Sequence, residues 1–502
     1  MKARKLIPLV LIAAGLLAYH NSFTGPFIFD DVPSIQDNPT IRHLWPIWGP
    51  LSTPHRGRLT VEGRPIVNLS LAINYALGGY EVWGYHALNL TVHLLAGLTL
   101  LGIVRRTLRS PRLRERFGAS ADGLALATAV LWTVHPLQTE SVTYVIQRAE
   151  VIMGLSYLLT LYCFIRAVNS RRTGVWYGLC LSTCALGMVS KEVMISAPVM
   201  VLLYDRAFVS ASFRETWRRR WPLYLGLSAT WVLLSYSQAR SLGHSWINTQ
   251  SKGVTWWMYL LTEPGVILHY LRLSLWPQPL CFDYYGWPIA RTWTSALPAA
   301  LVMVILLGAT GWAWKTKTTW GFLGAWFFLI LAPSSSFIPL DSPAFEHRMY
   351  LPLVAVVTLL VIGLYSLAGR RSAVVFVAAA IGFVFLSARR NQDYRSELAI
   401  WRDTVAKRPD NPRAQSSVGI ALGRMGRFQE AIGHFEQALR LKPDYADAHS
   451  NLGTALLQEG DLQGAIKHYE QALQIEPNDA QAHFNFGVAL EQAGQRDQAI
   501  DQ

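Results

Sequence analysis

Charge is what this chain has least of. Of its 502 residues only 15% are charged, while 51% are hydrophobic and the mean hydropathy is +0.23. Soluble domains carry about a quarter charged residues, so an ordinary soluble globule of this length is excluded. Cysteine is almost missing. Cys163, Cys180, Cys184 and Cys281 have no paired CxxC spacing, which excludes a zinc-ribbon framework, and three of them lie within apolar runs as small core thiols. No structural disulfide is expected. No HExxH motif occurs either, so no motif in the sequence points to a metal, and metal dependence stays open. The arginine runs at 105–116 and 214–220 lack the interleaved aromatics of a nucleic-acid groove, so nucleic acid is not expected as a partner.

Acidic residues are scarce in one part of the chain and abundant in the other. Residues 1–408 hold 38 Lys and Arg against 19 Asp and Glu, whereas residues 409–502 hold 7 against 13. The basic excess therefore belongs to the apolar part, where it falls in short clusters between greasy runs. That is the signature of positive-inside membrane topology, and 19 Trp residues, many at the ends of those runs, read as interfacial belts.

A crossing takes about 20 mostly apolar residues. Runs centred on Leu6–Tyr19, Leu88–Val104, Leu124–Val134, Val151–Val168, Trp176–Val189, Val193–Tyr204, Leu223–Tyr236, Leu297–Trp314, Trp320–Leu331, Leu351–Leu367 and Ala373–Leu386 predict about 11 spans. The segment Val254–Trp276 is long enough to cross, but Glu263-Pro264 interrupts it, and a crossing there would put Lys315, Lys317 and Arg370–Arg371 outside. It reads as a re-entrant or interfacial element. The basic start MKARK places the N-terminus in the cytoplasm. No small-x-small site follows the first run cleanly, so that run reads as a retained span rather than a signal peptide. An odd number of spans puts the C-terminal part on the extracytoplasmic face.

That C-terminal part has a period of 34. Pro409, Pro443 and Pro477 repeat at this interval, as do Ala414, Ala448 and Ala482, then Gly419, Gly453 and Gly487, and Gly426, Gly460 and Gly494. This is the tetratricopeptide pattern, in which small residues let two helices touch and Phe435 or Tyr469 fills the groove between them. The chain ends at AIDQ, partway through a third unit, so a truncated chain or an incomplete last repeat is expected. The fold class expected is all-α: a polytopic membrane domain over residues 1–390 with an extracytoplasmic loop at 24–85, a connector at 391–408, and an α-solenoid of repeats over 409–502.

The membrane part carries four polar constellations, all on the extracytoplasmic side of this topology. The loop 24–85 holds FIFDDVPSIQDN, with Asp30 and Asp31 adjacent, and then Arg64 in EGRP. The pair suits a carboxylate base, or an Asx turn before Val32-Pro33. His86, Asn89 and His93 share one helical face, as metal or phosphate ligands or as structural hydrogen-bonders. The stretch HPLQTESVTYVIQRAE contains Glu140, Arg148 and Glu150 between two spans, where ionisable groups are costly and mark a site or an interfacial pair. The last constellation is SKE, with Lys191 and Glu192, together with EHRMY, with Glu346 and Arg348. Each sets a cation beside a carboxylate.

The order FDD…N, GRP…NY…YHALNLTVH, HPLQTESV…R, SKE and EHRMYLP, followed by 34-residue repeats, resembles the transmembrane and tetratricopeptide-repeat-containing O-mannosyltransferases. These are integral-membrane glycosyltransferases of the GT-C class, related to the protein O-mannosyltransferases. The resemblance implies transfer of a sugar, mannose by analogy, from a polyprenyl-phosphate donor to a hydroxyl of a polypeptide or glycan on the outer membrane face. It makes Asp30 the base, with Asp31 orienting the acceptor or the base. Arg148, Lys191 and Arg348 would hold the donor phosphate, with Arg64, His86, His93, Glu140, Glu192 and Glu346 completing the donor or acceptor site. The Gln147–Glu150 stretch departs from a family position read as Gly-Arg-x-Asp. No cofactor is expected beyond the lipid-linked sugar, and the repeats would bind the acceptor or a protein partner. A bacterial inner membrane is favoured, or the endoplasmic reticulum if the source is eukaryotic. The alternatives are a transporter or ligase-type handler of lipid-linked glycans, and a membrane-anchored tetratricopeptide scaffold.

Overall fold

The computed structural model describes residues 2–53, 59–241, 254–335 and 342–502. Every regular element among them is helical. The chain divides into two units, Met1–Leu280 with Ile289–Tyr394, and Cys281–Pro288 with Arg395–Gln502.

The first unit contains α1 (Lys2–Tyr19), α2 (Pro65–Gly78), α3 (Val82–Leu108), α4 (Ala121–Thr133), α5 (Thr139–Thr143), α6 (Arg148–Val168) and α7 (Thr173–Met188). These are followed by α8 (Ala197–Tyr204), α9 (Phe213–Ser241), α10 (Trp256–Leu275), α11 (Trp293–Thr316), α12 (Thr318–Leu331), α13 (Leu353–Ala368) and α14 (Ser372–Asn391). Helix α3 packs on α4 and α6, α6 packs on α7, and α1 lies against α4 and α14. Where α1, α3, α4 and the start of α13 meet, Tyr19, His93, Trp132 and Tyr350 form a ring cluster with centroids 5.0–5.8 Å apart. Gly154 of α6 faces the Tyr350 ring so closely that a Cβ would collide with it, which fixes why glycine stands there.

The number of spans differs from the sequence expectation. Among the described residues four helical runs are long and apolar enough to cross a membrane: Val82–Leu108, Val145–Val168, Trp293–Thr316 and Leu353–Arg395. The bent pair Arg114–Thr133 and Pro136–Thr143 makes a fifth if it is counted as one span. Eleven was an overcount. Leu6–Tyr19 and Thr318–Leu331 are apolar but short, α8 has only 8 residues, and α9 carries arginines and a non-helical Arg220 inside it. The runs predicted at Leu351–Leu367 and Ala373–Leu386 lie within one candidate segment, broken at Gly369 with φ +56°. Helix α10 continues through Pro264 and is not among the qualifying helices. Within the loop expected at 24–85, residues 54–58 lie outside the described residues, and α2 is a short apolar helix.

The second unit is a ladder of helical hairpins. After α15 (Glu397–Lys407) come α16 (Pro412–Arg424) with α17 (Phe428–Leu441), α18 (Ala446–Gln458) with α19 (Leu462–Ile475), and α20 (Ala480–Gln492) with α21 (Arg496–Ile500). The 34-residue spacing has two physical causes. Gly419 and Gly453 lie under Phe435 and Tyr469, so a Cβ there would sit 2.6 and 3.0 Å from the ring atoms. Gly426, Gly460 and Gly494 take φ of +74°, +87° and +78° after the first helix of each hairpin, a conformation costly for other residues. The segment Cys281–Pro288 belongs to this unit. There Asp283 accepts from Arg413 Nε at 2.9 Å and Asn411 Nδ2 at 3.1 Å.

A polar rung also repeats in this unit. Gln415 and His434 meet at 2.9 Å, His449 and His468 at 3.0 Å, and His483 and Gln502 at 2.7 Å. Only the middle rung has two imidazoles. Burial, and then the His449 neighbour, hold His468 below its ordinary value. The unfolded chain therefore takes up this proton more readily than the folded one, and the rung's contribution to stability is lost as pH falls through the unfolded value near 6.5. Thermal unfolding of the full chain should show the repeats less stable at pH 5 than at pH 7.5. His468→Gln, which copies the outer rungs, should narrow that difference.

Candidate functional site

The acidic loop begins where α1 ends. His86 on the first turns of α3 holds it, with Nε2 2.9 Å from the Gly25 carbonyl. Phe29 then adopts φ +46°, a left-handed backbone that is a genuine outlier for a bulky residue and marks strain held by its surroundings. Asp30 follows directly. Its backbone N–H donates to Tyr144 Oη at 2.9 Å, and Thr60 Oγ1 lies 3.3 Å from its carboxylate. A short π-helical turn, Val32–Gln36, comes next, and Asn38 caps the turn after it through Thr40 N–H.

The two carboxylates occupy different environments. Asp30 is half-buried, whereas Asp31 is 0% exposed. Asp31 Oδ1 accepts the Ile146 N–H at 2.7 Å and Oδ2 accepts the Ile28 N–H at 3.1 Å. It staples the loop to the chain just before α6. Burial pushes its carboxyl up to about 8, against the pull of those two N–H donors and, after the Asp30 charge, of Arg148.

Arg148 is fully buried, and its guanidinium is committed to the protein. Nε donates to Asn89 Oδ1 at 2.7 Å, Nη1 to the Ser70 carbonyl at 3.1 Å and Nη2 to the Tyr85 carbonyl at 2.9 Å. It therefore ties α2, α3 and α6 together, with its charge over the Tyr85 ring at 5.5 Å. His93 is similarly occupied, with Nδ1 2.9 Å from Tyr350 Oη and Nε2 2.9 Å from the Thr133 carbonyl. That makes it a bridging residue of the aromatic cluster.

The remaining candidates converge. Lys191 Nζ is 2.5 Å from Glu150 Oε2, both buried, and Arg64 Nη2 is 3.3 Å from Glu192 Oε2. Burial alone would raise Glu192, but Arg64 and Lys191 hold it below the usual carboxylate range. Glu140 accepts both the backbone N–H of His347 at 2.9 Å and its Nδ1 at 2.7 Å, joining the HPLQTES stretch to EHRMY. Burial and the nearby Lys191 cation push His347 well below its ordinary value, with Glu150, Arg348 and Arg64 also within electrostatic reach. A neutral imidazole donating from Nδ1 to a carboxylate follows. Arg348 donates to the Pro343 carbonyl at 2.5 Å and the Ser342 carbonyl at 3.3 Å, while Glu346 is buried beside Tyr394.

Tyr144 links the two halves, lying within electrostatic reach of Asp30, Asp31 and Glu140. Sequence reasoning did not single out Tyr144 or His347, although both lie inside quoted motifs. An acidic residue advertises chemistry in a sequence, but a tyrosine in an apolar context reads as core. Among the described residues no group of three His, Cys, Asp or Glu side chains is placed to share a metal ion.

Residues 65–236 match the family described as dolichyl-phosphate-mannose-protein mannosyltransferase, and residues 417–480 and 468–501 match tetratricopeptide repeat families. Protein O-mannosyl-transferase Tmtc3 of Drosophila melanogaster is 26% identical, covering 86% of this chain and 55% of its own length. Protein O-mannosyl-transferase TMTC1 of Homo sapiens is 27% identical, with 86% and 54% covered. The chain thus spans about half the length of these curated relatives. Among solved structures, ArnT from Cupriavidus metallidurans bound to undecaprenyl phosphate covers 93% of this chain and 80% of its own, at 13% identity and a TM-score of 0.41. That likeness is too loose to define fold or function. The sequence matches bear out the resemblance read from the motifs: similarity to a mannosyltransferase family and to tetratricopeptide repeat families occurs within one chain.

Proposed function

We propose that this chain is a GT-C-type glycosyltransferase that moves a sugar, mannose by analogy with its relatives, from a polyprenyl-phosphate donor to a hydroxyl of a protein or glycan. The observation that carries the reading is Asp30. It is a half-buried carboxylate next to the strained Phe29 backbone, with its N–H fixed by Tyr144, on a loop stapled down by Asp31. Asp30 takes the proton of the acceptor hydroxyl as its oxygen forms the new bond to the anomeric carbon. The bond from that carbon to the phosphate oxygen breaks, and the phosphate leaves with the pair of electrons. Lys191, Arg64 and Arg348, gathered around His347, offset the charge that develops on it. On this reading the cations do the work at the phosphate, and neither a metal nor another cofactor is invoked.

The site faces the extracytoplasmic side in this proposal, and the arginine-rich ends of α3 and α6 face the cytoplasm. Asn391, at the end of α14, bonds the Ala18 carbonyl at 3.0 Å and receives Thr143 Oγ1 at 2.8 Å. The end of α14 therefore lies beside the end of α1, where the acidic loop starts, and the repeats are proposed to be extracytoplasmic. Their role would be to hold the acceptor polypeptide or a partner. Between the two locations, the bacterial inner membrane is preferred to the endoplasmic reticulum.

Purified chain in detergent, given radiolabelled polyprenyl-phosphate mannose and an acceptor peptide, should release label from the lipid and place it on the peptide. Label that stays on the lipid with every sugar and acceptor class tried would overturn the reading in favour of a scaffold.

A further inference from the structure

The far end of the same helices carries a cleft lined by arginines. His86 and Arg106 are 20 residues apart on α3, about 30 Å along the axis, close to the thickness of a bilayer's hydrocarbon core. There a cleft of about 610 Å³ opens between the C-terminal ends of α3 and α6 and the turn after α8. Arg105, Arg106, Arg109 and Ser110 line it, and among the described residues no Asp or Glu does. Arg105 and Arg109 are both held by one carboxylate, Asp122, at 2.7 and 2.8 Å, so the pair of cations is only half neutralised. Arg106 is exposed, makes no ion pair among the described residues, and lies over the Tyr162 ring at 5.5 Å. Arg166 comes to the same ring from α6 at 5.8 Å. Ser110 Oγ is shielded from solvent and has no hydrogen-bond partner among the described residues.

A cleft in which three arginines face one carboxylate, Asp122, favours an anion. What tells a lipid from a soluble phosphate is its neighbour. Tyr204 and Phe208 line this cleft and also line an apolar groove that runs between α3, α6, α12 and α13. A ligand spanning both would be charged at one end and apolar at the other. We propose that the cleft binds the headgroup phosphate of an anionic membrane phospholipid, whose apolar part begins at Tyr204 and Phe208, where the groove of about 80 Å³ takes its first few methylenes. Basic pockets between spans on the positive side of a membrane favour such headgroups. The proposal does not depend on the transferase reading, because neither Asp30 nor its neighbours take part.

The test is native mass spectrometry of the delipidated full chain, titrated with phosphatidylglycerol, phosphatidylcholine or glycerol 3-phosphate. The wild type should bind phosphatidylglycerol at least about five-fold better than phosphatidylcholine. Arg106→Gln should remove most of that preference and Arg106→Lys should keep it, with both variants folded because Arg106 is exposed. Glycerol 3-phosphate at equal concentration should not displace the lipid. Equal binding of the two phospholipids, a preference unchanged in Arg106→Gln, or displacement by glycerol 3-phosphate would each overturn the proposal, the last in favour of a soluble phosphate ligand.

Discussion

Asp30→Asn is expected to lower sugar transfer by about 10²–10⁴-fold, the usual contribution of a general base, with no loss of thermal stability. The amide keeps the size of the side chain and can still accept from Thr60 Oγ1, while the Tyr144 contact is made by the backbone and survives. Asp31→Asn should behave differently. Both Asp31 oxygens receive backbone N–H groups, so an amide nitrogen would face one of those donors and leave it unpaired, at about 1–3 kcal/mol. The loop should loosen, the melting temperature should fall, and activity should drop less than in Asp30→Asn. Transfer rates and melting curves measured on both variants separate the two roles. Asp30→Asn activity within about three-fold of wild type would remove Asp30 as the base and turn attention to Glu140.

How much of this was legible in the sequence depends on how local the physics is. The repeats were readable because each glycine answers a constraint inside its own hairpin, either a ring 2.6 Å from the missing Cβ of Gly419 or a positive φ at Gly426. The polar motifs were readable as motifs, since buried ions are rare enough to stand out. Their pairings were not. Arg64 with Glu192, and Glu140 with His347, join residues separated by 128 and 207 positions, and nothing in either stretch names its partner. The span count failed for a related reason. Apolar runs are visible in sequence, but where a helix ends is decided by packing. Leu6–Tyr19 and Thr318–Leu331 stop short of a full crossing, whereas the predicted spans at 351–367 and 373–386 lie in one candidate segment. The difference between Asp30 and Asp31, one half-buried and one fully buried, likewise arises from the loop's contact with Ile146.

Arg148 is where structure and resemblance pull apart, and its variants should decide between them. The resemblance would have it grip the donor phosphate. Its geometry instead makes it a clamp, with three nitrogens donating to acceptors on α2 and α3. Arg148→Met should leave Asn89 Oδ1 and the Ser70 and Tyr85 carbonyls without these donors in a dry interior, for a loss of about 3–5 kcal/mol. It also removes a cation that favours ionised Asp31, so the staple to Ile146 weakens as well. Arg148→Lys should rescue little, because one ammonium cannot reach three acceptors fixed by a planar fork. The expected result is a marked fall in melting temperature and in yield of folded protein for both variants, with the KM for donor nearly unchanged in whatever fraction folds. A phosphate ligand would give the opposite split: wild-type stability, a donor KM raised ten-fold or more, and partial rescue by lysine. That outcome would return Arg148 to the donor site and require its three protein acceptors to be satisfied some other way when the donor is bound.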